Sequence, residues 1–164
     1  MIIAQYVIVL LSILFLVAYF LLDKRRWREI ALAAAISAIW VGFSGIYNYR
    51  ETNIAILGFN LFSFFAWTAG LVLLKAFYDM LGSFKYVKAV IFYIIALLFC
   101  EFLGYNLLGV QLSSNYPGLF GLKLMHAPLY AQLYYICIGP VYLLALISLN
   151  KRSIDKSKKQ KRKF

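Results

Sequence analysis

One acidic residue, Glu101, lies deep inside an apolar stretch of the sequence, far from the other charged residues. Burying a carboxyl group in hydrocarbon costs several kcal/mol, so such a residue normally faces the interior of a helix bundle, pairs with polar groups and marks a functional site. A glutamic acid that ties two helices together by a hydrogen bond accounts for the same position equally well. The sequence therefore predicts a site centred on Glu101 and leaves open whether this residue acts in function or in packing.

Polar residues of other apolar stretches are expected at the depth of Glu101 if each stretch is a membrane-spanning helix. Asn60 and Tyr134 are the main candidates, and Tyr130 and Tyr134 share a helix face, as do Glu101 and Tyr105. With residues nearer the surface, the predicted ligand-binding residues are Asn48, Arg50, Asn60, Tyr105, Tyr130 and Tyr134. Because the chain has 13 tyrosines, an aromatic belt at the headgroup level is the commoner explanation for any single one.

His126 is the only histidine of the chain and stands just before the last apolar stretch. It is a candidate to exchange protons with Glu101 as a general acid/base couple, and these two residues are the predicted catalytic pair. An interfacial histidine is more often a hydrogen-bonded cap. One histidine cannot supply bis-histidine haem ligation or a histidine-rich zinc or di-iron site, and the sequence contains no P-loop or GxSxG motif. We predict neither a metal nor a cofactor.

The composition indicates an all-α membrane protein. The residues are 64% hydrophobic and 14% charged, whereas a soluble domain carries about a quarter charged residues. Apolar runs of about 20 residues, separated by short polar links, are typical of transmembrane helices. The predicted spans cover residues 2–22, 30–47, 54–74, 89–108 and 127–149. They form one predicted transmembrane domain, residues 1–150, followed by a basic tail, residues 151–164.

The distribution of lysine and arginine predicts the orientation. Fifteen of the 17 basic residues fall in the tail or in links on one side of the five predicted spans, and only Arg50 and Lys123 fall on the other. Basic residues beside spans favour the cytoplasmic side. The sequence therefore predicts a multi-pass protein, with its N-terminus outside and its C-terminus inside, in what we expect is a prokaryotic cytoplasmic membrane.

The net charge of +11 does not indicate nucleic-acid binding, because the charge lies at span ends and in the tail rather than on a folded face with interleaved aromatic residues. The expected partners are membrane lipids, with other membrane proteins or a second copy of the chain as further candidates. A stripe of small residues in the second span is expected to pack against neighbouring helices. Its members are Ala31, Ala34, Ala35, Ala38, Gly42 and Gly45.

The run Glu101-x-x-Gly104, followed by Tyr116-Pro117-Gly118 and Pro128, resembles a pattern in membrane-bound carotenoid hydratases and cyclases. The resemblance covers less than a fifth of the chain, and the further acidic residues of those enzymes have no obvious match. It implies an isoprenoid as the kind of tail that the site accepts.

Three functions are compatible with the sequence. The first is a protein that binds or modifies an amphipathic, lipid-like molecule at an outer-leaflet site around Glu101. The second is an accessory or assembly subunit of a larger membrane complex. The third is a small transporter or channel, which is disfavoured because one buried acidic residue and no internal repeat offer little to line a water-filled path. Whether the protein is an enzyme stays open.

Overall fold

The computed structural model describes residues 2–50, 54–116, 118–119 and 124–161, and 76% of it is helical. The elements are α1 (Ile2–Leu22), a 3-10 turn (Lys24–Arg26), α2 (Trp27–Ser44), β1 (Ala55–Ile56), β2 (Phe59–Asn60), α3 (Leu61–Met80), α4 (Lys85–Phe102), a π-helical turn (Leu103–Leu107) and α5 (Leu129–Lys161). The predicted all-α class is confirmed, with one pair of two-residue strands as the only sheet in the described part of the chain.

Among the described residues, four helices are long and apolar enough to cross a membrane. They cover Ile3–Leu22, Leu61–Met80, Lys85–Leu107 and Leu129–Leu149, which match the first, third, fourth and fifth predicted spans. Helix α2, on the second predicted span, has 18 residues and carries Arg28 and Glu29 in its first turn, and it is not among the four. Such helices are typical of an integral membrane protein.

The third predicted span begins too early. Residues 54–60 form a tight antiparallel hairpin in which Ala55 pairs with Asn60, and the turn places Leu57 and Gly58 at positive φ. The Asn60 side chain then accepts a hydrogen bond from the backbone N–H of Ser63 and so caps α3. As a result α3 begins at Leu61 and continues to Met80, beyond the predicted end at residue 74.

Helix α3, rather than α2, is the centre of the bundle. It packs against α1, α2, α4 and α5 and has eight buried residues, whereas α2 has three. The buried face of α2 consists of Ala33, Ser37 and Val41, while Ala31, Ala35 and Gly42 of the predicted stripe are exposed. The predicted stripe is therefore only partly buried: Ala34 and Ala38 have intermediate exposure, and the fully buried positions of α2 each lie one residue before a member of the stripe.

A charged cluster joins four helices at the end of the bundle that carries the basic links. Lys75 of α3 is 5% exposed, and its Nζ lies 3.0 Å from Glu29 Oε1 and 2.5 Å from Asp79 Oδ2. The Tyr19 hydroxyl donates to the second Glu29 carboxylate oxygen, and the Tyr142 hydroxyl donates to the Glu29 backbone carbonyl. The i,i+4 pairing of Lys75 with Asp79 follows from the sequence, whereas its pairing with Glu29 depends on how α2 and α3 pack.

The last helix is longer than the predicted span. Helix α5 begins at Leu129, directly after Pro128, and continues to Lys161, so most of the predicted tail is a helical extension of the span. Pro140 lies inside this helix. The ring of Tyr93 from α4 packs against Gly139, where an added Cβ would stand 2.7 Å from three ring carbons. A glycine is therefore required next to the proline for α4 to approach α5 this closely.

Candidate functional site

A cavity of about 470 Å³ lies at the end of the bundle opposite the basic links. Residues of α1, α3 and α4 form its apolar walls, among them Ile8, Leu71 and Leu97. Helices α1 and α4 both pack on α3, so the cavity occupies the space between them above the α3 surface. Its size lies within the roughly 300–1,000 Å³ of ordinary ligand pockets, whose walls are likewise mostly apolar.

Glu101 lines this cavity from the last turn of α4. Its carboxyl group makes no hydrogen bond or ion pair with another residue of the described part of the chain. The prediction that Glu101 faces the interior of the bundle agrees with this position. The prediction that it is paired there with Asn60 and Tyr134 is wrong, since neither of these residues lines the cavity.

A π-helical turn follows Glu101 directly and sets the position of the next side chains. The backbone N–H of Leu108 donates to the Leu103 carbonyl at 3.0 Å, five residues back, and Val110 N–H donates to the Gly104 carbonyl at 2.8 Å. Single π-helical turns are uncommon and frequently occur at functional sites. Here the turn carries Tyr105, which lines the cavity one helical turn beyond Glu101.

His126 also lines this cavity, beside Tyr105. Its ring stacks on the ring of Tyr105, with centroids 3.6 Å apart and planes within 8°. The Nδ1 atom of His126 is buried and has no hydrogen-bond partner. Burial lowers the pKa of His126, which favours the neutral imidazole with one donor and one acceptor nitrogen. The structure therefore brings together three predicted site residues: Glu101, Tyr105 and His126.

The backbone around His126 is fixed by its two neighbours. Met125 and Ala127 are almost completely buried and pack in a cluster with Val41 and Tyr47. The Gln132 side chain donates to the Ala127 carbonyl at 2.7 Å, which holds the start of α5 against this segment. The imidazole is thus positioned by packing on both sides rather than by a hydrogen bond of its own.

Two further hydroxyl groups line the cavity near Glu101. Tyr49 and Ser63 share a hydrogen bond of 2.9 Å between their side-chain oxygens. Burial raises the pKa of Tyr49, and the electrostatic interaction with Glu101 raises it further. Tyr49 therefore keeps its proton and remains a hydrogen-bond donor close to the carboxyl group.

A hydrogen-bonded aromatic cluster supports this wall. The Tyr47 hydroxyl accepts hydrogen bonds from the indole N–H groups of Trp40 and Trp67 and donates to the Tyr135 hydroxyl at 3.1 Å. Tyr47, Trp67 and Tyr135 also line the cavity. Because these residues come from α2, α3, α5 and the segment after α2, their hydrogen bonds hold the cavity wall in one arrangement.

The other predicted ligand-binding residues lie outside the cavity. Asn60 caps α3, and its side-chain amide also donates to the Tyr47 carbonyl at 3.1 Å. Tyr134 stacks on Trp40 at 3.7 Å between ring centroids, and Tyr130 is 53% exposed beside the same indole. Asn60 was expected deeper in the membrane because the hairpin before α3 cannot be read from the apolar pattern.

Asn48 and Arg50 organise the link between α4 and α5 instead of reaching the cavity. The backbone carbonyl of Asn48 accepts a hydrogen bond from Ser113 N–H at 2.7 Å. The Arg50 guanidinium donates to the Leu112 carbonyl and to the side chains of Gln111 and Asn115. This arginine is therefore engaged by the neighbouring link and does not face Glu101 within the described residues.

Tyr49, Ser63 and Tyr135 are cavity residues that the sequence reasoning missed. Tyr49 and Tyr135 each stand beside a residue that was selected, and no spacing rule separates a cavity tyrosine from one in an aromatic belt. Among the described residues no group of three or more histidine, cysteine, aspartate or glutamate side chains is arranged to hold a metal ion. The polar groups of the site are thus suited to hydrogen bonding and proton exchange.

No family model matches this sequence, and comparison with curated proteins and with solved structures finds no significant match. The fold and the site define a helical protein with four potential membrane spans and one mostly apolar cavity with a carboxyl group at its polar end. Its function is inferred from the residues and their geometry alone.

Proposed function

We propose that the cavity beside Glu101 is an outer-leaflet site that binds or modifies an amphipathic, lipid-like molecule. The observation that carries this proposal is a cavity of about 470 Å³ that Glu101 and His126 both line, and in which the buried Nδ1 atom of His126 has no hydrogen-bond partner among the described residues. Buried polar groups without partners are costly and are normally satisfied by a ligand or by water. A ligand head at these two residues would satisfy both.

The apolar walls favour a ligand with a hydrocarbon body. Beyond Glu101, the cavity extends along α3 and α4 towards Leu74 and Phe92, and this part of the lining is apolar. A flexible chain placed against these walls gains about 25 cal/mol for each Å² of apolar area that it buries. An isoprenoid tail, as the resemblance to carotenoid hydratases and cyclases implies, fits this description. A modifying activity would use Glu101 and His126 as its acid/base pair.

The proposal also includes the number of membrane spans and the side of the membrane on which each terminus lies. We infer that α2 crosses the membrane with the four longer helices, which gives five spans, the N-terminus outside and the basic tail in the cytoplasm. This arrangement keeps fifteen of the 17 basic residues on one side. It also places the cavity mouth, with Tyr49 and His126, at the outer surface, where an amphipathic molecule of the outer leaflet has access.

Mass spectrometry of lipids that remain bound after purification in a mild detergent tests the proposal. The wild-type protein should retain one species in stoichiometric amount, and Glu101→Gln should lose it while remaining folded. Gly70→Leu should also lose it, because Gly70 lines the cavity and a Cβ there meets no atom within 4 Å. An unchanged lipid profile in both variants would contradict the proposal.

Gly42→Leu is the matched control for the cavity-filling variant. Gly42 lies in the interior of α2, an added Cβ meets no atom within 4 Å, and the residue does not line the cavity. Both substitutions place leucine on an exposed helix face, so they change helix propensity alike. Loss of lipid from both variants would indicate a general effect on the fold rather than occupation of the cavity.

The alternative role as an accessory subunit makes a different prediction. A subunit of that kind would copurify with a larger complex in mild detergent, and Glu101→Gln would leave the complex intact. A protein that purifies alone with one bound lipid supports the proposed site.

A further inference from the structure

We propose that the polar end of this cavity takes a hydroxyl head group, as in a long-chain alcohol or a quinol, and rejects a phosphorylated head. This inference rests on the proposed function, since it specifies the head of the molecule that the same site binds. Three features of the site carry it: the charges of its lining, the hydrogen-bonding capacity of its polar groups, and the engagement of the nearest basic side chain.

The lining has the carboxyl group of Glu101 but no lysine or arginine in the part of the chain that the structure describes, and its one imidazole, His126, is favoured in the neutral form. A phosphate head next to Glu101 would place two acidic groups together in a poorly hydrated site. The two groups cannot both ionise in contact without a like-charge cost of several kcal/mol, and the phosphate would have no cation to offset its loss of water. The site therefore discriminates against phosphate esters.

Arg50 does not relieve this repulsion, although it lies on the same side of the bundle. Its guanidinium is held by the Leu112 carbonyl, by Gln111 and by Asn115, and it does not line the cavity. Reorienting it towards Glu101 would break three hydrogen bonds that attach the long link to the segment after α2. Arg50 thus has a structural task that keeps it away from the ligand head.

The remaining polar groups match a hydroxyl in number and kind. Glu101 offers acceptor oxygens, Tyr49 a donor, and neutral His126 one donor and one acceptor nitrogen, of which Nδ1 has no partner. A hydroxyl both donates and accepts, so it can bridge the carboxyl group and the imidazole at once.

Farnesol and farnesyl phosphate test the inference because they share one tail and differ only in the head. Each is added to delipidated protein in detergent micelles, and its dissociation constant is measured by native mass spectrometry. Farnesol should bind roughly tenfold or more tightly than farnesyl phosphate, as expected for removal of a like-charge contact. Equal or tighter binding of farnesyl phosphate would overturn the inference.

Variants separate a role in head-group selection from a role in folding. Glu101→Gln removes the acidic group at nearly constant volume, so the preference for farnesol over farnesyl phosphate should fall by roughly tenfold, since the repulsion is gone. Tyr130→Phe is the control, because Tyr130 lies outside the cavity, and it should leave the ratio unchanged. A ratio that Glu101→Gln does not alter would contradict selection by the carboxyl group.

Two more ligands distinguish the sources of the hydroxyl. Binding of octadecanol would indicate an aliphatic alcohol as the ligand, and binding of a short-chain quinol would indicate an aromatic diol. Each compound is compared with its methyl ether, which should bind more weakly. If no hydroxyl compound binds but the purified protein retains another lipid, the hydroxyl inference fails and the proposed lipid site stands. If the protein neither retains nor binds any lipid, the proposed function fails as well.

Discussion

Replacing Lys75 with methionine should destabilise the protein by about 3–5 kcal/mol, the usual cost of removing one partner from a buried ion pair. Lys75 is 5% exposed and lies 3.0 Å from Glu29 Oε1 and 2.5 Å from Asp79 Oδ2. Methionine keeps most of the side-chain volume but leaves the Glu29 carboxylate, whose side chain is 17% exposed, with the Tyr19 hydroxyl as its remaining donor among the described residues. The loss therefore comes from an uncompensated charge rather than from a cavity.

The structure also orders the other substitutions in this cluster. Asp79→Asn should cost only about 0–1 kcal/mol, since the Asp79 side chain is 49% exposed and water replaces its ion pair. Glu29→Gln should lie between the two, because Lys75 keeps Asp79 as a partner. The double variant Lys75→Met, Glu29→Gln removes both buried charges, so its cost should be less than the sum of the single costs by about 0.5–3 kcal/mol.

Unfolding in mixed micelles, followed by tryptophan fluorescence and circular dichroism, measures these free energies. Lys88→Met is the matched control, because Lys88 is an exposed lysine of α4, and its effect should stay within about 0.5 kcal/mol. If Lys75→Met is as mild as this control, or if the double variant is simply additive, the cluster does not join the helices as described.

Three further predictions concern topology, packing and pH. In a chain whose two native cysteines are replaced by alanine, Ser114→Cys should react with an impermeant maleimide in intact cells and Ser83→Cys should not; the reverse pattern would contradict the proposed orientation of the bundle. Gly139→Ala should destabilise the protein by about 1–3 kcal/mol in thermal unfolding, because its Cβ would stand 2.7 Å from the Tyr93 ring; no loss would refute the close α4–α5 contact. Burial lowers the pKa of His126 below 6.5, so the unfolded chain binds its proton more readily and stability should fall as the pH is lowered through this value. His126→Gln should remove that part of the pH dependence, and an unchanged slope would contradict it.

The sequence predicted the helices whose position is set by the length of an apolar run alone. Four predicted spans match helices long enough to cross a membrane. The start of α3 was not predictable, because residues 54–60 are as apolar as a span but turn at Leu57 and Gly58. The buried face of α2 was also not predictable, since alanine and glycine suit both a packed face and a lipid-facing one.

The sequence predicted those site residues whose position is restricted by the cost of burying a polar group. It did not predict residues that were selected only because they lie at the same depth in the membrane as Glu101. A carboxyl group in an apolar helix must face something other than hydrocarbon, and Glu101 lines the cavity with Tyr105 and His126. Equal depth gave no information on rotation about each helix axis, so Tyr134 was selected while its neighbour Tyr135 lines the cavity. The contribution of Tyr49 depends on the path of the segment after α2, which no periodic pattern encodes.

Photo-crosslinking with a farnesol analogue that carries a diazirine in its tail is the most direct test of the ligand site. After irradiation and proteolysis, mass spectrometry should locate the adduct on the cavity walls, in α3 between Ala66 and Leu74 or in α4 between Phe92 and Leu97, with competition by unlabelled farnesol. Gly70→Leu should abolish this adduct and Gly42→Leu should not. Adducts confined to lipid-exposed positions such as Leu10 or Leu133, or labelling that farnesol does not compete, would show that the cavity beside Glu101 is not the binding site.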